Sequence, residues 1–146
     1  MAYFIYNKNE PDMTDIYKIA EDDNALANLN ITEDHIRLTV SDEEFNYVKQ
    51  EVKYPAAYDG SNFTWEDLTQ EITKENLDHI IQSKIRRIED FLNAPNSGHP
   101  DYNFWNTYKD TLSNFDTSTI TYPMAISWDK YCEDNGIAYK SILQLP

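Results

Sequence analysis

The chain has 146 residues and is rich in aromatic side chains (3 Trp, 11 Tyr and 6 Phe), which excludes a disordered chain, because burying such groups offsets the conformational entropy lost on folding. Its 26 Asp and Glu against 12 Lys and Arg leave a formal net charge of −14, which repels phosphate backbones and anionic lipids. We therefore expect no direct nucleic-acid binding and no membrane binding, and the single cysteine, Cys132, excludes an intrachain disulfide.

The negative charge is concentrated in the first half of the chain. Residues 1–72 carry 5 Lys or Arg against 16 Asp or Glu, a net charge of −11, whereas residues 73–146 carry 7 against 10, a net charge of −3. The first residues lack a basic segment followed by a long apolar run, so we expect no signal peptide.

The first third of the chain predicts a hairpin followed by a short helix. Residues 2–6 are aromatic and β-branched, as is typical of a strand, and residues 16–19 alternate apolar with polar side chains. The segment 7–14 between them is rich in turn residues and joins the two predicted strands. Residues 21–29 have the spacing of a short helix.

A strand and a capped helix come next. Strict alternation over residues 36–40 predicts the strand. Ser41, with Glu44 three residues later, satisfies free amides at a helix start, which predicts a helix over residues 42–50. The acidic residues of its first turn complement the helix dipole, and this structural role is a sufficient explanation for a group that resembles a cation site.

Residues 52–58 and 62–65 predict a second hairpin, because the intervening Asp59-Gly60 pair tolerates the positive φ angles of a tight turn. Pro55 has no amide hydrogen to donate to a neighbouring strand, so we expect its strand to lie at an edge.

The second half of the chain is predicted to be helical. Thr73 is the expected N-cap of a helix over residues 74–93, which ends at a Pro- and Gly-containing break over residues 94–101. The apolar stripe of this helix recurs at threes and fours along Leu77, Ile80, Ile81, Ile85, Ile88, Phe91 and Leu92. A second helix is expected over residues 102–112.

The end of the chain predicts one more helix, capped by Ser127 and covering residues 128–135. Gly136 is suited to the left-handed position that closes a helix. Residues 138–145 are expected to form a strand or an extended tail.

Strands followed by helices favour the α+β class over a doubly wound sheet. We expect one domain over residues 1–146, in which a small, mainly antiparallel sheet from the first half is packed by the 74–93 and 102–115 helices. The acidic, strand-rich part covers residues 1–72 and the helical part residues 73–146.

The residues that carry catalytic or metal chemistry form no recognisable motif. His35, His79 and His99 lie far apart, and none has a second ligand at a zinc-binding spacing. Cys132 falls on the predicted buried side of a short helix, and the carboxylates are too abundant for any pair to be informative. We therefore expect no catalytic residue, no metal and no cofactor.

Residues 77–128 contain a long amphipathic helix, a Pro/Gly break, the pattern Trp105-x-x-Tyr108-Lys109-x-x-Leu112, then Pro123 and Trp128. This arrangement resembles the C-terminal region of bacteriophage tail-fibre assembly and tail-assembly chaperone proteins. The chain departs from that family where Lys109 replaces the usual Arg and where Trp128 is not followed by Pro. The resemblance implies a phage protein of the host cytoplasm or the virion that acts through protein–protein contacts, and it transfers no catalytic residue.

The excess of tyrosine favours a protein-binding surface in the first half, since Tyr and Trp are enriched at interfaces. Our candidate residues are Tyr3, Tyr54, Tyr58 and Trp65, and the partner is another protein or a second copy of the chain. Two other functions remain open. One is an acidic inhibitor in which the carboxylates of residues 10–71 imitate nucleic acid, and the other is a small enzyme.

Overall fold

The computed structural model describes residues 1–9, 13 and 15–146. Glu10, Pro11, Asp12 and Thr14, which belong to the predicted turn-rich segment, lie outside the described residues. Helices and two small antiparallel sheets make up the described part of the chain, which confirms the α+β class. The chain divides into two compact units, Met1–Leu68 together with Pro146, and Thr69–Leu145.

The first unit is built on a three-stranded antiparallel sheet of order β2-β1-β3. Strand β1 is Ala2–Asn7, β2 is Ile16–Ala20 and β3 is His35–Val40, so each predicted strand is present. Successive side chains of a strand alternate between faces. Phe4 and Tyr6 therefore lie on one face of β1, and Tyr3 and Ile5 lie on the other.

Short helices and a hairpin complete this unit. Helix α1 is Asp23–Ala27 and α2 is Asp42–Lys49. Helix α2 begins at the predicted capping box and buries its apolar side chains against the rest of the unit, because Phe45 and Val48 lie on one helical face. Strands β4, Lys53–Tyr58, and β5, Phe63–Asp67, pair as the second predicted hairpin.

The second unit is helical and has its own hydrophobic core. Helix α3, Lys74–Asn93, packs against α4, Tyr102–Asn114, and α5, Trp128–Asp134, follows. Thr73 and Ser127 cap α3 and α5 as predicted. The core of this unit includes the apolar stripe of α3 and the largest buried rings of α4 and α5, which are Leu77, Ile81, Ile85, Ile88, Phe91, Trp105, Tyr108 and Trp128.

The structure differs from the predictions at two short elements. Helix α1 is shorter than residues 21–29, since the Asp22 side chain caps it by accepting from the Ala25 amide. The prediction of a strand or extended tail over residues 138–145 is wrong for Ile142–Gln144, which form a 3₁₀ turn. Ser141 starts that turn with a capping box. The packing of the sheet by the 74–93 and 102–115 helices within one domain stays a prediction.

Candidate functional site

An aromatic cluster lies in the first unit where the β4–β5 hairpin and helix α2 pack over Phe4. The ring centroids of Trp65 and Tyr47 are 5.2 Å apart, those of Trp65 and Phe63 are 5.4 Å apart, and those of Phe63 and Tyr58 are 4.8 Å apart. Phe4 is fully buried beneath, with its ring centroid 5.7 Å from that of Phe63. We call Tyr47, Tyr58, Phe63 and Trp65 the aromatic cluster.

The hairpin register explains why these rings meet. Pro55 pairs with Trp65 and Tyr58 pairs with Phe63, while the extra residue Ala56 forms a bulge between the two pairs. Paired residues point to the same face of a sheet, and a bulge shifts the alternation of one strand by one residue. The bulge therefore brings Tyr58 to the face that carries Phe63 and Trp65.

Only two of the four predicted binding residues belong to this cluster. Tyr54 pairs with Glu66, one position away from Trp65, so it lies on the other face of the hairpin. Its hydroxyl accepts a hydrogen bond of 2.9 Å from the Ile16 amide. Tyr3 lies on the face of β1 opposite Phe4, where its hydroxyl donates to Asp23. A binding role for Tyr3 and Tyr54 stays a prediction.

Tyr47 and Phe63 of the aromatic cluster were not among the predicted binding residues. Phe63 alternates with Trp65 on the same predicted strand, and that spacing was a usable signal. Tyr47 comes from a separate helix, and its approach to Trp65 depends on tertiary packing that no local pattern shows.

Each ring of the aromatic cluster is half-buried, and charged side chains surround it. The Lys53 ammonium lies 4.8 Å from the centroid of the Tyr47 ring and 3.9 Å from the Asp67 carboxylate. The Tyr47 hydroxyl donates to Glu43, and this hydrogen bond to a carboxylate raises the pKa of Tyr47. The cluster thus already holds one cation of its own chain between a π-face and a carboxylate.

A second group of functional side chains is buried in the helical unit. Lys84 of α3 and Asp129 of α5 form an ion pair in which Nζ and Oδ1 are 3.6 Å apart, and their side chains are 10% and 0% exposed. The indole Nε1 of Trp128 donates to the Tyr108 hydroxyl over 3.0 Å. Cys132 is fully buried beside these residues.

The chemistry of this buried group does not resemble that of a nucleophile. Burial raises the pKa of the Cys132 thiol to about 12, and the negative charge of Asp129 acts in the same direction. An activated cysteine needs a lowered pKa, because the thiolate is the reactive form. Burial also raises the pKa of Tyr108. A cavity of about 310 Å³ touches Tyr108, but no His or Cys is among the described residues that line it.

We predict that Cys132 does not react with a thiol reagent in the folded protein at pH 8 and reacts fully in denaturant. The raised pKa also makes stability depend on pH. Above the ordinary thiol pKa of 9.0 the unfolded chain loses the Cys132 proton, whereas the folded protein still holds it, and this difference favours the unfolded state. The free energy of unfolding should therefore fall as the pH rises from about 9 toward 12. Urea unfolding at several pH values measures this fall, which should shrink in Cys132→Ala. Rapid labelling of the folded protein would show that the thiol is not buried.

Among the described residues, no group of three or more His, Cys, Asp or Glu side chains is arranged to hold a metal ion. We predict that thermal melts with and without excess chelator superimpose. A melting temperature lowered by several degrees would reveal a metal site that stabilises the fold.

Comparison of the chain with protein-family models, with curated proteins and with solved structures gives no significant match. In the part of the chain that the structure describes, no helix combines the length and the apolar character needed to cross a membrane.

Proposed function

We propose that the chain is a bacteriophage structural or assembly protein that acts without catalysis, through protein–protein contacts, in the host cytoplasm or the virion. The phage assignment rests on the resemblance of residues 77–128. In the structure Trp105, Tyr108 and Leu112 of that pattern are buried in the helical core. Because they are buried, they stabilise the fold of this unit, and we expect a partner to bind at another surface.

The observation that carries the proposal is the aromatic cluster. Four neighbouring rings that are only half-buried offer apolar area to a partner at a low cost in side-chain entropy, which is the property of binding hot spots. The hydroxyl groups of Tyr47 and Tyr58 and the surrounding carboxylates keep such a surface soluble in the free protein.

Charge indicates what kind of partner suits this surface. Glu43 and Asp67 are exposed around the cluster, and residues 1–72 carry a net charge of −11. A partner surface that presents Lys or Arg beside apolar groups is complementary to this combination. The position of Lys53 over Tyr47 is an intramolecular example of the contact that such a partner would repeat.

The test is to capture partners of the tagged chain from phage-infected cells and to compare the variant Tyr58→Ser with the control variant Tyr17→Ser. Tyr58→Ser removes a ring at the outer end of the cluster, whereas Trp65→Ser also removes the contact with buried Phe4 and would weaken the fold. Tyr17→Ser is the matched control, since Tyr17 is exposed on β2 and stacks on His35 outside the cluster.

We expect the wild type and Tyr17→Ser to recover the same phage proteins, or to self-associate in light scattering, and Tyr58→Ser to lose most of that signal. Circular dichroism should show both variants folded. A strictly monomeric wild type that enriches no phage protein over an unrelated acidic bait would contradict the proposal.

A further inference from the structure

The first unit contains a cavity of about 480 Å³ on the face of the sheet opposite the aromatic cluster. This volume falls within the range of small-molecule sites, about 300–1,000 Å³. Strands β1 and β3 form one side, and α1 with the segment that follows it forms the other. The lining residues that matter here are Tyr3, Asp23, Leu26, Leu29, Ile31 and Arg37.

The floor of this cavity is aliphatic. Leu26, Leu29 and Ile31 are only half-buried. A ligand with an apolar body would remove their remaining surface from water, which is favourable in proportion to the area covered.

Three polar groups meet at the rim. The pairing of Tyr3 with Thr39 and of Ile5 with Arg37 places Tyr3 and Arg37 on the same face of the sheet. The Tyr3 hydroxyl donates to the Asp23 carboxylate, and the positive charge of Arg37 also acts on this hydroxyl. The rim thus carries one cation and one anion on either side of a shared hydroxyl.

Arg37 is exposed, and among the described residues no carboxylate lies within 4.0 Å of it. That is notable in a chain with more than two carboxylates for each Lys or Arg. A guanidinium has a planar set of N–H donors that suits a carboxylate. Arg37 can therefore donate hydrogen bonds to the carboxylate of a ligand.

A simple ion satisfies at most one of the two rim charges. Asp23 and the net charge of −11 over residues 1–72 repel a free anion, and a free cation leaves the Arg37 guanidinium without a partner. A ligand that carries both charges on an apolar body satisfies the rim and the floor together.

We propose that this cavity binds a small zwitterion with an apolar body, of which an aliphatic α-amino acid is the simplest member. The ligand carboxylate pairs with Arg37 and the ligand ammonium pairs with Asp23, which Tyr3 holds in place. The apolar body covers the aliphatic floor.

The test uses the wild-type chain and three probes that differ in charge. Titration of isotope-labelled protein with L-leucine should shift the amide signals of residues around the cavity and saturate. N-acetyl-leucine lacks the ammonium and leucinamide lacks the carboxylate, so each should bind at least about tenfold more weakly, as expected for the loss of a charge-assisted hydrogen bond. Absence of any saturable shift with leucine at millimolar concentration would overturn the proposal.

Variants assign each charge to its partner. Arg37→Gln should weaken leucine binding about tenfold and leave leucinamide binding unchanged, because leucinamide makes no use of the guanidinium. Asp23→Asn should give the same result with N-acetyl-leucine as the insensitive probe. Arg86→Gln, which removes an exposed Arg from α3, is the matched control and should bind leucine like the wild type. Equal losses for leucine and leucinamide in Arg37→Gln would contradict the assigned contacts.

Discussion

Replacing Asp129 with Asn should destabilise the helical unit by about 3–5 kcal/mol, the usual cost of removing one partner from a buried ion pair. The Lys84 ammonium, 3.6 Å from the Asp129 carboxylate and almost without access to water, would lose its compensating charge inside the core. Urea unfolding followed by tryptophan fluorescence measures the effect, because Trp105 and Trp128 are both buried in this unit.

A surface pair gives a matched control. Lys130 and Asp134 approach more closely, to 2.8 Å, but their side chains are 33% and 45% exposed. Asp134→Asn should therefore cost only about 0.5 kcal/mol or less. The double variant Lys84→Met, Asp129→Leu should recover most of the lost stability, since apolar residues can replace a buried ion pair. If Asp129→Asn and Asp134→Asn lower the free energy of unfolding by similarly small amounts, burial does not determine the contribution of the Lys84–Asp129 pair to stability.

Replacing Ile81 or Ile85 with Ala should destabilise the same unit by about 2–5 kcal/mol, through lost burial and the cavity that remains. Their exposures are 4% and 7%, and both belong to the apolar stripe that α3 contributes to the core. Urea unfolding measures both variants. Gln82→Ala, on the exposed face of the same helix, should change stability by less than about 0.5 kcal/mol. A change near zero at both isoleucines would mean that the stripe is not buried.

Local signals predicted the elements of this chain well. The capping box at Ser41 and the N-cap at Thr73 are short sequence signals, and each marks the start of a helix. The apolar stripe of α3 then indicates that this helix covers residues 74–93. The 3₁₀ turn at Ile142–Gln144 also had such a signal, because Ser141 and Gln144 have capping-box spacing.

Features that depend on distant residues were not predictable in the same way. Lys84 interrupts an apolar stripe, and its burial becomes understandable only with Asp129, which comes from another helix. Tyr58 joins Trp65 because of a bulge at Ala56, which the sequence does not mark, and the same register moves Tyr54 to the other face. Of the candidate binding residues, Tyr58 and Trp65 therefore lie together and Tyr54 lies apart from them, while the binding role of all of them stays a prediction.

Hydroxyl-radical footprinting of the chain, alone and in its captured complex, tests the aromatic cluster as the partner-binding surface most directly. We expect Tyr47, Tyr58 and Trp65 to lose reactivity in the complex, because a partner covers their exposed edges, while Tyr17 keeps its reactivity. Protection of Tyr17 with unchanged reactivity of Tyr58 and Trp65 would show that the partner binds elsewhere and would contradict the account.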